Sequence, residues 1–125
     1  MPKAKIGLNE TEQKILVRAA EILSDENHWT NGTFGNWQWL DQEPKVCASG
    51  AVRRATIEVL GIRKSWWKAM DDQHSLQVQR ALTQQAIYAI HGKRSIPWVN
   101  DQLGYQAVKN LFCKAIKAEV DETTE

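Results

Sequence analysis

Apolar side chains recur at three- and four-residue intervals in four separate stretches of this chain, which is the spacing of one face of an α-helix. The first stretch holds Ile15, Leu16, Ala19, Ile22 and Leu23, with Glu10, Gln13, Lys14, Arg18 and Glu21 on the other face. Asn9 stands before it and Glu12 three positions later, the pattern of a capping box, so a helix is predicted from about 10 to 25. A second helix is predicted from Ala48 or Ser49 to Gly61, where glycine suits the left-handed end position. Its stripe is Ala51, Val52, Ala55, Val59 and Leu60, and the small residues Ala48, Gly50, Ala51 and Ala55 let another backbone come close, as in a central buried helix. A third helix runs from Ser75 to His91, with Leu82, Ala86, Ala89 and Ile90 inward and Gly92 closing it. Pro97 marks a connection, and a last helix over about 105–119 carries Val108, Leu111, Phe112, Ala115 and Ile116. Residues 62–74 read as a short helix or a loop. The fold class expected is mainly α, a compact bundle of about four to five helices.

The stretch between the first two helices follows another rule. Trp29, Phe34, Trp37 and Trp39 fall among Gly and Asn, and Asn31-Gly32 is a hairpin-turn signal, while Gly35 and Asn36 argue for irregular structure. An aromatic-rich loop or a short β-hairpin is expected, ended by Pro44. Loops are ordinarily polar, so this one either packs its rings back on the core or binds something.

With 125 residues, 42% of them apolar, and six tryptophans the chain suits one domain with its own core. Residues 1–8 are read as a flexible arm, 9–119 as the helical domain and 120–125 as an acidic tail, with fraying at its polar end from Glu119 onward. A net charge of +1 excludes a strongly basic coat. The charge is uneven, however: Lys45, Arg53, Arg54, Arg63, Lys64, Lys68, Arg80, Lys93 and Arg94 face only Glu58, Asp71 and Asp72 over residues 45–94, which hints at one basic face. The first residues lack the apolar run of a targeting segment, and no window reaches the roughly 18 apolar residues of a membrane span. A reduced, cytoplasmic setting is expected, with Cys47 and Cys113 free and mostly buried.

No complete catalytic, metal or phosphate motif is present. Cys47 is the one candidate nucleophile, since helix-start amides favour a thiolate and His28, His74 or His91 would serve as base. Packing is the plainer reading, because free cysteine is usually buried and its neighbours are small. The histidines and cysteines lack the paired spacing of a metal site, and no cofactor is implied. Asp71-Asp72 and Asn100-Asp101 fall where side chains cap backbone N–H groups. Arg63-Lys64-Ser65-Trp66-Trp67-Lys68 interleaves cations with aromatics, the chemistry of phosphate and base contact, and Arg53-Arg54 and Lys93-Arg94 extend it. On a helix, adjacent tryptophans point about 100° apart, which leaves one at the surface.

In order along the chain, Trp29-Thr30-Asn31-Gly32, Cys47-Ala48-Ser49-Gly50-Ala51 and Asn100-Asp101 followed by the helix at Val108 resemble an uncharacterised small-domain family of bacteria and phages. The resemblance covers about residues 12–118 and implies a small bacterial or phage protein, with no activity attached. The expected role is therefore a non-enzymatic binding protein, a phage or mobile-element accessory factor. It would engage a host protein, or a second copy of itself, through Arg63, Lys64, Trp66 and Trp67, then Trp37 and Trp39, with Arg53 and Arg54 beside them. The alternatives are a nucleic-acid binder, a nucleotide-type ligand binder charged by Arg53 or Arg54, and a Cys47-dependent enzyme.

Overall fold

Asn9 and Glu12 cap one another: Asn9 Oδ1 accepts from the Glu12 amide at 2.8 Å, and Glu12 Oε1 accepts from the Asn9 amide at 3.1 Å. This predicted box opens α1 (Glu10–Ile22) in the computed structural model, which describes residues 6–30, 45–61, 72–90 and 95–120. Ile15, Leu16, Ala19 and Ile22 are buried, as their spacing requires. The helix stops short of 25 because the Ser24 amide and hydroxyl both turn back to the Glu21 carbonyl. A 3₁₀ turn (Glu26–His28) follows, opened by Asp25 accepting from the Asn27 amide at 2.9 Å.

Helix α2 (Ala48–Leu60) ends where Gly61 takes a left-handed φ of 66°. Residues 48–53 are all buried, so it is the central helix its small side chains announced. Helix α3 (Gln73–Ile90) starts two residues before Ser75, because Asp72 Oδ1 accepts from the His74 amide at 2.8 Å and caps it earlier. Val78, Ala81, Leu82 and Ala86 point inward. Pro97, read from sequence as a connection, lies instead in the first turn of a short helix α4 (Ile96–Trp98), a position where its missing N–H costs nothing. Ser95 caps this helix, which continues without a break into a π-helical turn (Val99–Leu103). Gly104 then takes φ 88° and ψ −175°, and α5 (Tyr105–Glu119) begins.

Helix α1 packs on α2, α3 and α5, and α3 packs on α2 and α5, so the buried apolar side chains form one core cluster among the described residues. No strand is formed among the described residues beyond one isolated bridge between Trp29 and Val46. That bridge is parallel, whereas hairpin strands run antiparallel; the hairpin considered for the aromatic stretch would lie at 31–44, outside the described residues. No helix is long and apolar enough to cross a membrane among the described residues.

Three expectations are corrected. Cys113 is exposed, not buried, because α5 turns that face to solvent, although both cysteines are free. Glu119 does not fray; it is fully buried and accepts hydrogen bonds from the amides of residues 6–8. The last three residues of the arm are thereby fixed, with Leu8 in the core.

Candidate functional site

The π-helical turn holds one more residue than an α-turn, a distortion often met at functional sites. It carries Asn100, 1% exposed, to the point where three remote parts of the chain meet. Asn100 Oδ1 accepts from the Trp29 indole Nε1 at 2.8 Å and from the Ala48 backbone amide at 2.9 Å. Asn100 Nδ2 donates to the Thr30 carbonyl at 3.2 Å and to Asp101 Oδ1 at 3.0 Å. A side-chain amide has two donor hydrogens and two acceptor lone pairs, and all four are used. Asn100 does cap a helix, but that helix is α2, whose first amide belongs to Ala48.

The parallel bridge lies against this hub. The Thr30 amide donates to the Val46 carbonyl at 3.1 Å, and the Val46 amide donates to the His28 carbonyl at 2.7 Å. The Trp29 ring tilts 60° against Tyr105 at a centroid distance of 5.9 Å, and the Tyr105 hydroxyl donates to the Leu23 carbonyl at 2.5 Å. Residues 28–30 and Val46, which lie on either side of the aromatic stretch, are thus fastened side by side. The segments that meet here are those singled out in sequence: Trp29-Thr30, Cys47-Ala48 and Asn100-Asp101.

A family model matches residues 8–118. The chain belongs to the family of unknown function DUF6197. The matched region takes in all three segments of the hub. Comparison with curated proteins and with solved structures gives no match.

Within this DUF6197 domain Cys47 sits beside the hub, at the N-cap of α2, where its Sγ accepts from the Gly50 amide at 3.4 Å. Burial pushes the thiol above its ordinary value; backbone N–H groups of Gly50 and Ser49 and the charge of Arg53 pull it down, and Asp101 pushes it up. Burial dominates and outweighs the pull of the helix-start amides toward a thiolate. Arg53, nearly two turns further along α2, is 7% exposed, and its burial holds the guanidinium below its usual value. It lies inside the fold rather than on a surface face. Arg54 is half-buried, with Nε 3.5 Å from Glu58, which also takes Arg18 Nε at 2.6 Å.

The two described histidines are bonded elsewhere. His28 Nδ1 meets the Ile22 carbonyl at 3.1 Å, and His74 Nδ1 meets Glu12 at 2.7 Å. No group of three or more His, Cys, Asp and Glu side chains is placed to hold a metal among the described residues. Arg63, Lys64, Trp66, Trp67, Trp37 and Trp39, with His91, Lys93, Arg94 and Asp71, lie outside the described residues. What the sequence reading missed is Asn100 as the centre. The signal was there in the three recurring segments, but nothing local shows that bonds spanning 52 and 71 residues join them.

Proposed function

We propose that this domain is a binding protein that engages a protein partner through the aromatic segment 31–44, with Trp37 and Trp39 as anchors. The cation–aromatic run Arg63, Lys64, Trp66 and Trp67 supplies the second contact. The observation that carries the reading is that the chain before and after this segment is fastened together, Thr30 to Val46, with Trp29, Thr30 and Ala48 all held by one fully bonded, buried Asn100. A segment tied down on both sides loses less conformational freedom on binding, and tryptophan is among the residues enriched at binding hot spots. A protein partner is preferred to nucleic acid because Arg53 is buried and Arg54 is ion-paired with Glu58, which takes two cations away from a phosphate-binding face. A host protein as that partner rests on the resemblance of the three segments to a bacterial and phage family. Binding is preferred to thiol chemistry because burial holds Cys47 in its neutral form.

The test is native mass spectrometry of the protein purified from its own cell, as wild type and as Trp37→Ala with Trp39→Ala. The wild type is expected to carry a second protein in fixed stoichiometry, and the double variant to lose it with its circular dichroism and melting temperature unchanged. A variant that loses its fold would place both rings in the core and end the proposal. Retention of a nucleic acid or a small molecule by the wild type would replace it with another.

A further inference from the structure

Glu119 closes α5, and its side chain is 0% exposed. Its Oε2 accepts from the Ile6 amide at 2.5 Å, and its Oε1 accepts from the Gly7 and Leu8 amides, both at 2.9 Å. Three consecutive amides turned toward one carboxylate form an anion-holding nest, and Gly7 makes that turn with φ 91°, a conformation other residues rarely adopt. No ion pair to Glu119 is present among the described residues, where these three amides are the hydrogen-bond donors to its carboxylate. From the other side, residues 6–8 belong to no helix or strand. Their amides bond to this single side chain, and among the described residues only the Leu8 carbonyl is held separately, by Gln13 Nε2 at 3.0 Å. Leu8 joins the core and Ile6 packs against it, where the start of α1 meets the end of α5.

We propose that residues 6–8 are a strap, latched by Glu119 across the ends of α1 and α5, which opens and closes as a unit while the helices stay folded. Cooperative pieces of a protein open below the global free energy when few contacts hold them. Here the amide hydrogen bonds converge on one carboxylate, so Glu119 is the polar latch of the strap, beside the burial of Leu8 and the bond from Gln13. Opening withdraws Leu8 from the core cluster and bares apolar surface at the junction of the two helices.

Amide hydrogen exchange on the full chain tests this. In the wild type the amides of Ile6, Gly7 and Leu8 are expected to be protected, yet to exchange faster than those of Ala55 and Leu82 and with little dependence on denaturant. Glu119→Gln, which removes the charge and one acceptor oxygen, is expected to speed exchange at 6–8 by about tenfold or more and leave α2 and α3 nearly unchanged. Glu119→Asp, charged but shorter, falls between. Exchange at 6–8 that matches the core in rate and denaturant dependence would overturn the strap, as would equal acceleration everywhere in Glu119→Gln. Should Glu119→Gln fail to fold, the wild-type denaturant dependence alone decides.

Discussion

Asn100 does with one amide what three separate groups would otherwise do: it caps α2, holds the Trp29 indole and holds the Thr30 carbonyl. Removing a buried partner costs more than the bond it made, since the groups left behind are desolvated and unpaired. Asn100→Ala is expected to lower stability by about 3 kcal/mol in urea titrations, at one to three per orphaned group partly relieved by relaxation. A loss within a few tenths would show that water replaces the side chain. From sequence Asn100 reads only as a cap, because its partners sit in chain segments that local spacing does not connect. Cys47 makes the opposite lesson: both its helix-start position and the burial that outweighs it were legible, because free cysteine among small residues usually packs inside. Its thiol is raised in the fold, so the neutral form is the one the fold prefers. That contribution is whole below the unfolded value, about 9, and is lost as pH rises through the folded one. Stability should therefore decline on the alkaline side, and less steeply in Cys47→Ala; Tyr105, also raised by burial, acts in the same direction in both proteins. A thiol reagent at neutral pH should modify exposed Cys113 promptly and Cys47 far more slowly. Equal rates would refute the burial account.

Helices whose signals are local came through from sequence nearly to the residue. The Asn9–Glu12 box and Gly61 fixed two ends by side-chain and backbone chemistry that acts over a single turn. Helix α3 began early because Asp72, rather than a residue nearer Ser75, supplied the capping oxygen. The short helix α4 and its π-helical turn were hidden because proline and asparagine favour loops on average, while their cost vanishes in a first turn and in a fully bonded site. Gly104 separates this turn from α5 at φ 88° and ψ −175°, a region essentially confined to glycine. A Cβ there would meet no atom within 4 Å, so the penalty is one of conformation and not of space. Gly104→Ala is expected to cost about 1–3 kcal/mol by thermal unfolding, with the spectrum of the native state retained. An unaffected melting temperature would mean that the π-helical turn relaxes to accept it.

One core serves the described residues, with α1 touching three other helices and no second cluster of buried side chains among them. Calorimetry should therefore show one cooperative transition whose van't Hoff and calorimetric enthalpies agree. Two resolved transitions would mean that the helices do not share that core. The helical class and the central place of α2 were readable, because a small-sided stripe has few uses except close packing. The hub was not, since it is made by tertiary approach. The bonds from residues 6–8 to residue 119 also have a geometric consequence. They bring the first and last described stretches of the chain to the same spot, as in domains that tolerate being re-cut or nested inside another polypeptide. A short linker joining these two stretches, with new ends opened elsewhere, should yield a working permuted version. By the same geometry, the whole body can hang from a single surface loop of a carrier protein without prying the carrier apart.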